Sequence, residues 1–252
     1  MIADHPDSPT VRSVLARLSS GVTASPRLVH RGDDARIELS GRVLLNWTAK
    51  AANLLLEEAD VRPGDVVALD LPPGHWRSAY WALAAWSLGA CVDVTPGGGA
   101  GAVVRIAVAS PDLSADPPTV AVTPAPLARR SEVALAPGVI DEAAVLSTYG
   151  DVAPPAEDVE PDEAALLAGS QSWSFAELCP PAEGPSAGEG ATGQERRILL
   201  APHGRPTPAG ALRAMVGAWA ADGSLVVPPA GVDPDALARI AEQEGVTRRV
   251  TG

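Results

Sequence analysis

A chain of 252 residues, 46% of them hydrophobic, is long enough to bury a sizeable core, as one large domain or two small ones. Its formal net charge of −12 at pH 7 sets up a field that repels nucleic acid and anionic membrane, so neither is expected as a partner. Two cysteines, a polar amino-terminal stretch and no uncharged apolar run of bilayer length point to a cytoplasmic protein without disulfide, structural metal or membrane span.

In chain order, Ser8-Pro9 is a helix-starting pair, a cap followed by proline at the first turn. Val11, Val14, Leu15 and Leu18 then form one stripe, and Gly21 stops it. Residues 28–30 and 37–39 flank a polar turn and are expected as a hairpin; the Arg31-Gly32-Asp33 triplet inside it reads as turn chemistry. Ser40 caps a second helix, with Leu44, Trp47, Ala51, Leu54 and Leu55 on one face. Pro63-Gly64 fits the centre of a type II turn, because proline presets φ and glycine accepts a positive one. An apolar strand at 66–71 follows, broken by Pro72-Pro73-Gly74. The helix at 76–88 is apolar without a break from Ala79 to Ala85, and Gly89 is its left-handed stop. It is expected to be the most buried helix, between a sheet and the Trp47 helix. Residues 91–94 form the next strand, with Cys91 a buried, inert thiol.

Strand, helix and strand in this order make a right-handed βαβ crossover in a parallel sheet, and the unbroken apolarity of both strands suits a sheet covered on both faces. Asp70 and Asp93 end neighbouring strands, at the edge where open α/β sheets place ligands. The glycines at 97–101 follow a strand but precede another strand and lack the G-x-G-x-x-G spacing, so a tight loop is expected rather than a phosphate cradle. Strands are expected at 103–108, 119–122, 164–169, 197–201 and 225–227. Residues 175–179 read as a short helical turn. Thr207-Pro208 opens a helix with Leu212, Met215, Val216 and Trp219 inward and Gly223 at its end; Asp233-Pro234 opens another with Leu237, Ile240 and Ala241 inward, closed by Gly245. Residues 151–163 and 180–195, rich in proline, glycine and acidic or small side chains, are expected as surface loops or mobile segments.

Three segments carry a resemblance: residues 47–53 (WTAKAAN), 61–69 (VRPGDVVAL) and 81–90 (WALAAWSLGA). Together they resemble the start of the adenylate-forming, AMP-binding superfamily of acyl-CoA synthetases, peptide-synthetase adenylation domains and luciferases. The last third, with a strand ending in proline and a D-P-x-x-L-x-x-I helix, resembles it as well. The chain also resembles a group of short actinobacterial proteins distantly similar to those enzymes. The resemblance implies an α/β fold, a mostly parallel sheet with helices on both faces like the N-terminal subdomains of those enzymes, in a single domain over 1–252 built from subregions 1–150 and 164–252. The small C-terminal domain that brings a lysine is expected to be absent.

In that superfamily a carboxylate attacks the α-phosphate of ATP, a step that rests on cations, Mg²⁺ and a glycine-rich loop of the form T-S-G-[ST]-T-G-x-P-K-G. By order along the chain the matching place is 168–174, so Gly169, Ser170, Ser172 and Ser174 are the nucleotide-loop residues the resemblance implies. The later glycines, the proline and the lysine are missing, and Trp173 stands where a glycine is expected. Thr148-Tyr149-Gly150 mimics the Y-G-x-T-E segment out of order, with Val152 and Ala153 in place of the Thr-Glu that binds Mg²⁺. His203 falls near the family's aromatic-or-His gate to the acyl pocket and is the one substrate-binding residue implied; a surface histidine after a strand is the alternative. No catalytic residue and no metal-ligand set emerges. The expected function is that of a non-catalytic homologue binding a protein, a small-molecule acid or a nucleotide, with no cofactor. The alternative is a small ligase-like enzyme with a rebuilt site or a partner supplying the missing groups, in which case ATP and Mg²⁺ are required.

Overall fold

The computed structural model describes residues 10–20, 24–32, 35–179, 196–200 and 207–250. Its first helix, α1 (Val11–Ser19), is capped by Thr10, whose Oγ1 accepts from Ser13 N at 3.1 Å. The expected Ser8-Pro9 start lies outside the described residues. β1 (Pro26–Arg31) and β2 (Arg36–Ser40) pair as an antiparallel hairpin. Ser40 then caps α2 (Gly41–Ala59), its side chain accepting from Val43 N. The turn at 62–65 places Gly64 at φ +83°, a conformation that side chains resist, and leads into β3 (Val66–Asp70). His75 caps α3 (Trp76–Ser87), and β4 (Cys91–Asp93) runs parallel to β3, which completes the crossover.

After β4 come β5 (Val104–Val108), β6 (Thr119–Val122), β7 (Ile140–Asp141) and the one-turn α4 (Glu142–Val145). β8 (Ala164–Ala168) and β9 (Gln171–Ser174) make a second hairpin, ended by a 3₁₀ turn at Phe175–Glu177. The chain closes with β10 (Arg197–Leu200), α5 (Pro208–Ala220), β11 (Ser224–Val227), α6 (Pro234–Gln243) and β12 (Arg248–Val250). Thr207 and Asp233 cap α5 and α6 with proline in the first turn, as their spacing requires. The left-handed stop of α5 is Asp222, at φ +56°, rather than Gly223. Gly223 answers a different need: a Cβ there would lie 2.8 Å from Arg196 O.

The α/β class stands, but the single expected sheet is two. One has the order β12-β10-β11-β1-β2, the other β7-β6-β5-β3-β4-β8-β9, and each is parallel except for its antiparallel edge strand β2 or β9. Apolar runs announce strands but not their partners, and β1 pairs with β11 from the far end of the chain.

α3 is the centre of the molecule. Every residue of it is buried. It touches α2, β3 and β4, as expected, and also α1, α5 and β1 of the other sheet. Ala79, Ala82, Ala84 and Ala85 let these elements approach closely, and Trp81 is wholly enclosed. The indole N–H groups that go inside are satisfied: Trp86 Nε1 donates to Ala165 O at 2.8 Å and Trp219 Nε1 to Arg27 O at 2.9 Å. α5 reaches both sheets, contacting β10, β11 and β8. α6 covers the outer face of the first sheet, where Ile240 packs on Val29, Leu199 and Val226, with Leu237 and Ala241 half-buried. Residues 151–163 carry no helix or strand, as expected; the segment 180–195 lies outside the described residues. Cys91 is buried and Cys179 half-buried, both free thiols, and burial pushes Cys91 up to about 11. Among the described residues no helix is long and apolar enough to cross a membrane.

Candidate functional site

Parallel strands deliver their C-terminal ends to one edge, and in this fold the edges of both sheets meet at the start of α3. A Cβ on Gly74 would lie 2.7 Å from Val227 Cγ1 of the first sheet. His75, the α3 cap, meets His30 of β1 edge-on with ring centroids 5.5 Å apart. Asp70 ends β3 at this edge, exposed, and Asp93 ends β4 beside it.

Asp93 shows what the glycine-rich segment does. Its Oδ1 accepts from Thr95 N at 2.9 Å and its Oδ2 from Gly99 N at 3.0 Å, while Arg105 Nη2 donates to Gly98 O at 3.0 Å. Gly99 sits at φ +94° with Ala68 Cβ only 2.7 Å from where its own Cβ would be, so glycine is obligatory. Residues 97–101 are therefore the tight loop the spacing suggests. The Gly99 amide of this loop and the Thr95 amide just before it already hold a carboxylate, and an incoming phosphate would meet that negative charge.

Of the nucleotide-loop residues, Gly169 and Ser170 form the two-residue turn between β8 and β9, with Gly169 at φ +63°. The Gly169 amide donates to Thr95 Oγ1 at 2.8 Å, which ties the hairpin to the β4 edge. Ser170 and Ser172 are exposed. Ser174 and Glu177 cap the following 3₁₀ turn reciprocally, Ser174 N donating to Glu177 Oε2 at 2.9 Å. Trp173 points the other way, its ring 5.1 Å from the Arg213 guanidinium. The four residues thus share one hairpin, in which the Gly169 amide and the Ser174 hydroxyl have partners within the chain. His203 lies outside the described residues, beyond Leu200 where β10 ends.

The sequence reading missed the polar centre behind the histidines. His75 Nδ1 accepts from Arg77 N at 3.3 Å. Burial, with the charges of His30 and Arg77 added, lowers His75 to about 4, and burial lowers His30 as well, so both rings are neutral at pH 7. Arg77 stacks on Trp76, 4.3 Å from the ring centroid, and donates to Ala125 O at 3.0 Å. Its Nη1 lies 3.2 Å from Glu142 Oε2. Glu142, only 1% exposed, accepts at Oε1 from the Tyr80 hydroxyl and from Trp81 Nε1 at 3.1 Å. Burial raises the Glu142 carboxyl; Arg77 and the two donated hydrogen bonds oppose that rise. One signal was readable: Arg77 is the only charge in an otherwise uncharged helix, and a charge buried there needs a partner. The partner, Glu142, has no local mark. Among the described residues no group of three or more His, Cys, Asp or Glu side chains is placed to hold a metal ion.

No established family signature matches the chain. It is 31% identical over 238 residues to the TIGR03089 family protein of Mycobacterium tuberculosis (strain ATCC 25618 / H37Rv), a match covering 88% of this chain and 90% of that protein. Among solved structures, the acyl-CoA synthetase of Brucella canis superposes with a TM-score of 0.72 at 17% identity, over 94% of this chain and 46% of the other. The N-terminal subdomain of NpsA from Klebsiella oxytoca, in complex with 3-hydroxybenzoyl-AMSN, gives 0.63 at 17% identity, over 99% and 61%. At such identities the likeness is one of fold: two mostly parallel sheets arranged as in the N-terminal subdomain of adenylate-forming enzymes. The chain spans less than half the length of the acyl-CoA synthetase it matches.

Proposed function

The chain belongs to the TIGR03089 family, and on that premise we propose that it is a non-catalytic protein of the adenylate-forming fold, one that works by binding a partner or small molecule rather than by acyl-adenylate chemistry. The observation that carries this reading is the 168–174 hairpin. At the place where the resemblance implies a phosphate loop, a two-residue turn closes a β-ladder, its glycine amide held by Thr95, with an indole in the middle and no lysine. The neighbouring glycine loop is filled by Asp93. Adenylyl transfer needs donors and cations aimed at the charge that develops on phosphate, and losing one such donor costs about 10²–10³ in rate. Asp70 and Asp93 place carboxylates at this edge instead.

One observation favours a second reading. Arg213 lies over Trp173 and donates to Glu177 O at 3.2 Å, so a cation does stand beside the hairpin. A rebuilt ligase-like site, using ATP and Mg²⁺, would be organised around it. Carboxylate-dependent exchange of labelled pyrophosphate into ATP separates the two, run with purified protein over aliphatic and aromatic acids. The expected result is no exchange above the blank, with any thermal-shift response to nucleotides, CoA or acids reporting binding alone. Exchange that disappears in Arg213→Ala or Ser170→Ala overturns the non-catalytic reading.

A further inference from the structure

A groove lies at the opposite end of α3. The chain from Ser147 to Asp158 crosses there as a strap, and both of its ends are fastened. Lys50 Nζ donates to Ser147 O at 3.0 Å and Tyr149 O at 2.6 Å, and Asn53 Nδ2 donates to Gly150 O at 2.9 Å and Val152 O at 3.1 Å. At the far end Arg12 Nη2 donates to Ala156 O at 3.0 Å and pairs with Asp158, and Glu157 N donates to Ser87 O at 3.0 Å. Between the fastenings Pro154 and Pro155 have no N–H to satisfy.

Beside the strap is an open groove of about 600 Å³, whose apolar wall includes Leu15, Leu45, Ala49 and Pro154. That volume falls in the range of about 300–1,000 Å³ typical of small-molecule sites. Ser87 forms part of the wall, so the groove sits at the C-terminal end of α3, about 18 Å along its axis from His75. It is independent of the edge discussed above.

The polar groups of the groove define the ligand. Arg42 and Asn46, one turn apart on α2, share a face of that helix and line the groove. Neither side chain hydrogen-bonds or ion-pairs with any described residue. Arg42 is exposed, and a guanidinium with no partner among the described residues is a fork of donors suited to a carboxylate. Arg42 also lies in the first turn of α2, which holds no acidic residue, so the helix end favours an anion. Asp151 lines the groove from the strap and forms no ion pair with Arg42. One negative charge is balanced by Arg42; a second would face Asp151, which disfavours phosphate heads. We propose that this groove binds an apolar monocarboxylate, its chain lying on Leu15, Leu45 and Ala49 and its carboxylate accepting from Arg42 and Asn46.

Calorimetric titration of the full chain with octanoate, octanol, octylamine and octyl phosphate at neutral pH tests the proposal. Octanoate should bind about tenfold or more tightly than the other three, the scale of one charged hydrogen-bonded contact. Arg42→Ala should erase that preference, Arg42→Lys should keep part of it, and Asp151→Asn should tighten octanoate. Ala16→Trp, placed from an exposed wall position, should block the groove while leaving the unfolding midpoint unchanged. His30→Ala, at the other edge, should leave octanoate binding as it is. Absence of octanoate binding overturns the proposal, as does equal binding of octanol, or indifference to both Arg42→Ala and Ala16→Trp. Preference for octylamine, lost in Asp151→Asn, would assign the groove to a cation instead. Binding lost in His30→Ala but kept in Arg42→Ala would move the ligand to the strand edge.

Discussion

Glu142 is the residue with most at stake, because two donors and one guanidinium from α3 converge on one enclosed carboxylate. Glu142→Ala leaves the Arg77 charge buried without its partner, and removing one member of a buried pair costs about 3–5 kcal/mol. The urea midpoint of the variant should fall accordingly, and further than that of Glu142→Gln, which keeps an acceptor for Tyr80 and Trp81. Half of this pair was legible: Arg77 stands out in its helix, whereas Glu142 looks like any acidic residue after Asp141. The titration of His75 sets a second expectation. Its folded value of about 4 lies below the ordinary 6.5, so the fold prefers the neutral ring. That contribution is complete above pH 6.5 and is lost as pH falls towards 4. Glu244 acts lower down. Hydrogen bonds from Arg36 and Arg31 hold it at about 2 against an ordinary 4.5, so its contribution is complete above pH 4.5 and lost on the way to 2. Stability should therefore decline in two stages as pH falls from 7 to 3. His75→Asn should flatten the upper stage and leave the share that belongs to His30; a pH profile of the urea midpoint reads both.

At the scale of elements, the parts that local chemistry dictates were readable and the parts that distance dictates were not. Ser40, Thr207 and Asp233 bond the amides of their own first turns, and Gly64 solves the backbone of its own turn, so each announced itself. β9 did not, since Gln-Ser-Trp-Ser has no apolar run and becomes a strand only by pairing with β8. β12, with two exposed arginines, is likewise a strand because β10 lies beside it. The candidate site divides in the same way. Asp93 could be placed at the strand edge from its spacing, but its service to Thr95 and Gly99 depends on how the following loop folds back. α3 was the clearest element, and it carries a prediction of its own. Trp81 is 0% exposed, so Trp81→Ala should leave a cavity and cost about 3–5 kcal/mol in denaturant unfolding. A loss of less than about 1 kcal/mol would mean that the helix does not hold the sheets as described.

Over the whole molecule, the two sheets share their middle layer. α3 touches β3 and β4 of one and β1 of the other, and α5 touches β10 and β11 of one and β8 of the other. Neither sheet keeps its inner face covered if the other leaves. Unfolding should therefore be a single transition, with tryptophan emission and far-ultraviolet dichroism tracing the same curve; separate midpoints would mean that the halves are stable alone. The strap bears on the molecule in another way. Lys50 is the only lysine in the chain, and its ammonium is occupied by two backbone carbonyls. Acylating reagents attack the free, neutral amine, so Lys50 should react faster in moments when the strap has let go. The rate at which that one side chain is acetylated thus clocks the release of this end of the strap from α2, in the way amide exchange clocks the opening of a helix. A ligand seated against the strap should slow that clock, and nothing would have to be added to the protein to read it.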